Sequence, residues 1–353
     1  MSTDMHIIAV GARTPVGLRA ESAAAAVRAG IVRVKRHPFF VDGDSEPLNL
    51  AFDARLEPEL PAWQRIAALA GSAIAEVLAK AASAALAPEG LQVLLSLPET
   101  RPGFSEADVQ RVAHSLSQGA ARGLGLEVIG RGHAGALEAL KVASERAARG
   151  KEEYFVVCGT DSYMDADALD WLEERGRVKR SNVRSGFTPG ESSGALLMAA
   201  EGTLRGRGAR QSLAVIRGVA TSMETRTILS DADSQGEGLT RAIRAATSGL
   251  KLPEEAVDAV FCDINGERYR TEEWGCALLR SQGTAKTTDY QLSTDSWGDV
   301  GAASAALECV LAVQSWRRGY AAGPRALVCA GSDGGLRGAA VLEQRAQKDA
   351  GAW

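Results

Sequence analysis

The stretch 128-VIGRGHAGALEAL-140 decides how the chain is read. Val128 and Ile129 end a short apolar run, glycines follow at 130 and 132, and Ala134-Gly135-Ala136-Leu137 opens an apolar helix. His133 stands at the junction. A strand–turn–helix step of this kind places one side chain at a helix N-terminus, where free backbone N–H groups and the helix dipole favour negative charge. Such junctions often display a nucleophile. The question is whether His133 is a catalytic group or fills the place of one.

The same alternation runs along the chain. Apolar runs at 6-HIIAV-10, 92-QVLLSL-97, 126-LEVI-129, 154-YFVVC-158, 194-GALLMAA-200, 212-SLAVIRGVA-220, 257-VDAVFCD-263, 326-ALVCAG-331 and 339-AAVLEQ-344 read as strands. Most are continuously apolar, as strands covered on both faces are. Helices fall between them: 62–80, where Ile66, Leu69, Ala70, Ala73, Ile74 and Val77 share a face, then the segment after His133, 238–248 and 301–315. This predicts layered α/β packing with helices on the sheet faces. The segment 301-GAASAALECVLAV-313 is made of small residues through its first half, which suits a helix lying close to other backbones. The runs 154-YFVVCGTDS and 326-ALVCAGSDG echo one another, which raises a duplicated architecture of two similar halves.

Composition removes several classes of function. The chain has 353 residues, 45% hydrophobic content and a net charge of −4, with Lys and Arg scattered among Asp and Glu, so nothing suggests a nucleic-acid surface. The densest basic patch, 33-RVKRH-37, reads as a solvated loop, and 33–61 as mostly polar loop. No continuous apolar run reaches the ~18 residues of a membrane span, and the N-terminus lacks the basic start of a signal peptide. The cysteines at 158, 262, 276, 309 and 329 are odd in number and sit in or beside apolar runs, the pattern of reduced, buried thiols in a cytoplasmic protein. No CxxC pair or His-rich tract exists, so no metal site and no cofactor are expected.

Several stretches, in order and in register from residue 6 to 344, resemble the β-ketoacyl synthases of the thiolase superfamily. They are 8-IAVGARTPVG-17, 150-GKEEYFVVCGTDSYMD-165, 186-GFTPGESSGALLM-198, 217-RGVATSMETRTILSDADSQGEGLTRAIRAA-246 and 327-LVCAGSDGGLRGAAVL-342, the third being the most specific. The resemblance implies a thiolase-like five-layer α/β/α/β/α sandwich of two pseudo-twofold-related halves, here 1–205 and 206–353, forming a homodimer or heterodimer.

The resemblance also says which residues should do the chemistry, and they are missing. The family's nucleophilic cysteine falls on His133, with no cysteine within twenty residues of it. Its first histidine falls on Asn265 in 265-NGERY-269, and both threonines of that loop are gone. Its lysine and second histidine fall on Asp295 and Asp299 in 295-DSWGDVGAAS-304. Its paired phenylalanines are replaced in 330-AGSDGG-335. Asn265 alone would be tolerated. A charged Asp299 would repel the oxyanion that condensing enzymes stabilise.

The expectation is therefore a scaffold that has lost Claisen condensation. Its expected role is a binding or adaptor protein: a chain-length-factor-like partner subunit, or an accessory protein of a secreted effector. The alternative is an acyl-processing enzyme, a decarboxylase or acyltransferase, working without cysteine through His133, Asp299 and Asn265. For His133 three readings stand: a satisfied buried side chain, an anion site helped by Arg131, or a base oriented by Asp299. Cys158 and Cys329 are expected in the core, Glu191 as a loop support, and Asp161 and Asp333 as turn caps. Trp171, Trp274 and Trp297 are placed near the former pocket or the dimer surface.

Overall fold

The computed structural model describes residues 4–43, 45–83, 90–150, 154–180, 182–204, 212–230 and 233–345. The first half supplies strands β1 (Met5–Arg13), β2 (Lys35–Val41), β3 (Pro47–Leu50), β4 (Gln92–Leu97), β5 (Gly125–Arg131), β6 (Tyr154–Ser162) and β7 (Glu191–Ala200). Its helices are α1 (Ala20–Arg28), α2 (Ala62–Ser83), α3 (Glu106–Gln118), α4 (Gly135–Ala148) and α5 (Ala166–Glu174). The rest supplies β8 (Ala214–Met223), α6 (Glu237–Thr247), β9 (Ala259–Cys262), α7 (Arg268–Arg280), the short α8 (Thr294–Trp297), α9 (Ser304–Arg317), β10 (Arg325–Gly331) and β11 (Leu336–Gln344).

Nine strands form one sheet in the order β5-β4-β6-β7-β1-β8-β11-β10-β9. Outward from the middle, β1-β7-β6-β4-β5 and β8-β11-β10-β9 follow one pattern. In each, the strand beside the first (β7 or β11) is antiparallel to both neighbours, and the strands beyond it run parallel. Among the described residues the second run has no full outer strand. Its place is marked by two parallel bridges, Val257 with Ala285 and Phe261 with Gln291. The echoed segments at 154 and 326 are β6 and β10, equivalent strands of the two runs.

Three hydrophobic cores separate the layers. The middle core takes α4 and α9 together with residues such as Ile7, Val157, Leu196, Val328 and Leu342 from both runs of strands. α2 and α3 cover the outer face of the first run, and α6 and α7 that of the second. The result is five layers, α/β/α/β/α. By length and composition alone α2 could cross a membrane. Here Ile66, Ala70, Ala73, Ile74 and Val77 pack it against the sheet, and it carries Glu76 and Lys80 on another side.

α9 has almost no solvent side: every residue from Ser304 to Trp316 is buried. Its small residues explain how. A Cβ on Gly159 would lie 2.4 Å from the Ala302 carbonyl oxygen, and one on Gly194 would lie 2.8 Å from the Leu307 nitrogen. Glycine on β6 and β7 lets the helix backbone approach the strands directly.

The segment 33–61 departs from the polar loop expected. β2 and β3 form a separate two-stranded sheet, tied down by a core the linear pattern hides. His37 is buried, stacks on Phe40 at 4.4 Å and meets Phe52 edge-on at 4.8 Å. Leu48 and Leu50 then join Tyr163, Leu169, Leu172 and Phe187. Segment 205–211, where the two halves were expected to meet, lies outside the described residues.

Candidate functional site

The site is built where the sheet changes into α4. β5 ends at Arg131, and Gly132 turns the chain in a left-handed conformation, φ +68°. A Cβ there would meet the Ser332 side chain at 2.8 Å, so the position takes only glycine. His133 follows at 4% exposure, just ahead of the helix.

Asp299 comes from the loop between α8 and α9. Its backbone is clamped by the 186–190 block: Asp299 N–H donates to the Thr188 carbonyl and Gly190 N–H to the Asp299 carbonyl, both at 2.8 Å. The most specific stretch of the sequence therefore acts as the mount for this carboxylate. His133 Nε2 lies 2.8 Å and 3.0 Å from the two Asp299 oxygens. Asn265 Nδ2 donates to Asp299 Oδ2 at 2.5 Å, and Gly301 N–H to Oδ1 at 2.8 Å. Three of the four positions singled out by sequence thus meet. Asp295 does not: it is exposed on α8 and lines a cavity near the cluster.

The electrostatics are those of a closed ion pair. Burial and the nearby Arg270 both push the His133 pKa down, but the charge and hydrogen bond of Asp299 and the charge of Asp263 outweigh them, and it stands above 6.5. For Asp299, burial works upward, and His133, Arg270 and the Gly301 N–H hold it well below the carboxylate range. Each partner thus favours the charged form of the other.

Further buried charges around the pair, which sequence reasoning missed, hold it in place. Arg270 donates to Asp263 at 2.6 Å and the Gly331 carbonyl at 2.7 Å, and approaches His133 Nε2 at 3.2 Å and Asp333 at 3.3 Å. Arg177 donates to Glu267 at 2.6 Å and to Asp333 at 2.7 Å. Tyr269 donates to Asp333 at 2.9 Å, and Asn265 to Glu267 at 3.0 Å. Glu267 and Arg270 stand in the run 265-NGERYR-270, where sequence comparison registered lost threonines but not what replaced them. Asp333 is therefore no turn cap: Arg177 and Arg270 outweigh its burial and hold it below the ordinary range. On α9 the fully buried Glu308 is pushed up, by burial first and then by Asp263 and Asp299.

The remaining expectations resolve individually. Arg131 does not assist His133: its guanidinium reaches Glu106 at 2.9 Å and the Pro98 carbonyl at 3.1 Å. Asp161 receives Arg101 at 2.6 Å and the Ala302 N–H at 2.9 Å, binding β6 to the start of α9 rather than capping a turn. Glu191 holds Arg65 through both oxygens at 2.7 and 2.8 Å and accepts from Asp53 N–H and Ser162. Trp297 is fully buried, Trp274 belongs to the core on α7, and Trp171 lines a small cavity beside His133.

That cavity, about 80 Å³, is walled by Glu99, Arg101, His133, Tyr163, Trp171 and Asp333 among others. A larger one, about 490 Å³, has Asn265 and Asp299 in its wall. The charged network stands between them. No thiol is near either: Cys158, Cys262, Cys309 and Cys329 are buried free thiols, and burial pushes Cys158 up to about 12. Ser332, whose hydroxyl lies at the helix tip, accepts from Ala134 N–H and donates to the Arg131 carbonyl. Among the described residues no group of His, Cys, Asp and Glu is placed to hold a metal.

Solved structures share this fold over nearly the whole chain. The ishigamide ketosynthase/chain length factor matches at 20% identity and TM-score 0.71, over 97% of this chain and 99% of that one. The ketosynthase ApeO in complex with its chain length factor ApeC from Xenorhabdus doucetiae matches at 15% and 0.77, over 97% and 98%. A β-ketoacyl synthase from Burkholderia phymatum matches at 16% and 0.74, over 97% and 100%. At these identities the likeness establishes the thiolase-like fold. No protein-family model matches the chain, and no curated protein does.

Proposed function

We propose that this protein is a non-condensing, ketosynthase-like subunit that works by binding a protein partner. The observation that carries the reading is the buried His133–Asp299 ion pair, closed by Asn265 and the Gly301 N–H, at the helix tip. Condensation needs a thiolate there and donors facing the carbonyl. This chain puts an imidazole there and satisfies it with a carboxylate. The adjoining cavity of about 80 Å³, with Glu99, Arg101 and Asp333 in its wall, suits no acyl chain. Apolar ligands take apolar pockets of several hundred Å³.

The partner reading draws on the company this fold keeps: two of the similar structures are described as a ketosynthase with a chain length factor. The free edge of β5, which pairs only with β4 among the described residues, is the thiolase-type surface for a second subunit. The partner is a ketosynthase in the chain-length-factor version, or a secreted effector in the accessory version, and the protein acts in the cytoplasm.

A second reading, acyl transfer or decarboxylation with His133 as base, has one observation in its favour: an imidazole oriented by a carboxylate. Against it, the ring is 4% exposed, Arg270 presses on it, and no hydroxyl or thiol is hydrogen-bonded to it. One experiment separates the two. The full chain is incubated with malonyl- and acyl-carrier-protein thioesters, followed by intact-mass and free-thiol measurement, and is then co-expressed with a candidate ketosynthase. No adduct, no thioester consumption and a stoichiometric complex support the subunit reading. An acyl adduct, or thioester turnover that H133N abolishes, overturns it.

A further inference from the structure

The residues just after α1 expose apolar side chains where a folded chain would normally hide them. Ile31, Val32, Phe39 and Val41 are 45%, 55%, 61% and 49% exposed. They lie along the approach to β2 and on β2 itself. Arg33, Lys35 and Arg36 are interleaved with them, are exposed, and make no ion pair or side-chain hydrogen bond among the described residues. They differ from the buried arginines at 65, 177 and 270, each of which is held by a carboxylate. β2 has only β3 as neighbour among the described residues, but Pro38 has no N–H and the Phe39 and Phe40 N–H groups both donate to His37 Nδ1 at 3.2 Å, so the strip presents side chains rather than a strand edge. Beside the strip the cavity of about 490 Å³ opens between Val32, Val34, Asn49 and Lys179, with Asp295 and Asp299 also in its wall, so it suits an uncharged side chain while an occupant's carboxylates stay on the strip.

We propose that the strip Ile31–Val41 and the adjoining cavity form a docking site for an extended, acidic segment of a partner protein. Carboxylates of the segment lie along Arg33, Lys35 and Arg36. Apolar side chains cover Phe39 and Val41. One side chain enters the cavity past Val32 and Val34. Charge complementarity selects an acidic occupant. The concave cavity selects a peptide, since a flat anionic lipid surface does not use it. The assignment rests on the reading that the chain acts through a protein partner, but it concerns a face distinct from β5.

The test uses the full chain, immobilised and screened against a displayed random-peptide library, with enriched peptides then measured by fluorescence anisotropy. Enriched peptides should be rich in Asp and Glu around an apolar anchor. Binding should weaken about tenfold or more in the R33E/K35E/R36E variant and fall with added salt. A V32D variant and a F39S/V41S variant should each lose affinity, with thermal melting unchanged as the control for folding. Enrichment without acidic bias, or affinity that survives all three variants, overturns the proposal. So does tighter binding to phosphatidylglycerol vesicles than to any peptide. Thioester turnover would instead sink the subunit reading while leaving the peptide result standing, so the two failures are distinguishable.

Discussion

Replacing Asp299 by Asn tests the central claim, that the helix tip holds a buried ion pair. The shape is kept, but the charge facing His133 is removed. Of the three donors on the carboxylate, His133, Asn265 and Gly301, an amide cannot serve all: its NH2 must face another donor. Removing one partner of a buried pair costs about 3–5 kcal/mol. For a chain of 353 residues, an unfolding entropy of about 2 cal/mol/K per residue makes about 4 kcal/mol a fall of ~5 °C in Tm. The pH dependence is the sharper signature. In the native protein the His133 pKa is raised above its unfolded 6.5, so its contribution is fully present below 6.5 and lost as pH rises through the folded value. In D299N the ring, buried beside Arg270, should titrate below 6.5. Protonation then favours the unfolded chain, and the variant loses about 1.4 kcal/mol per pH unit as pH falls below 6.5. Urea titrations of both proteins at pH 8, 6.5 and 5.5 should show a stability gap that widens on acidification. A variant as stable as the native protein at pH 5.5, or a gap that widens toward pH 8, would refute the reasoning.

Three further outcomes are expected. H133C restores a sulfur to the helix tip, but facing a charged Asp299 it should remain a thiol, alkylated by iodoacetamide no faster than an ordinary cysteine when followed by intact mass. G159A should destabilise by about 1–3 kcal/mol in urea titration, because its methyl meets the Ala302 carbonyl at 2.4 Å. E191Q strips the charge from a carboxylate that serves a 2%-exposed Arg65, and should cost about 3–5 kcal/mol by the same assay, with intact secondary structure by circular dichroism below the transition.

The layers were legible because strands covered on both faces must be apolar along most of their length, and the stretches 93–95, 155–158, 195–200 and 326–330 of β4, β6, β7 and β10 are. The helix of small residues at 301–315 announced its central place for the same steric reason. The hairpin at 35–50 was not legible. Its core depends on Phe40, Phe52 and a buried histidine meeting Tyr163 and Phe187, more than a hundred residues away, and local polarity gave no sign of that. In the site, motif order located His133, Asn265 and Asp299. Arg270, Arg177, Asp263 and Glu267 were invisible because a buried salt bridge and a solvated charge look alike in one dimension; only the fold tells which charges lose water. Arg131 and Asp333 were misjudged on the same ground, since nearness along the chain stood in for nearness in space.

The burial of α9 on every side bears on how the protein comes to be made. A helix with no wet surface has nowhere to rest until strands from both ends of the polypeptide are in place, and its interior Glu308 and Gln314 make it a poor candidate for early collapse. Assembly should therefore be all-or-none across the whole length. A polypeptide cut between residues 205 and 211 should yield fragments that aggregate when expressed alone and become soluble only when produced together.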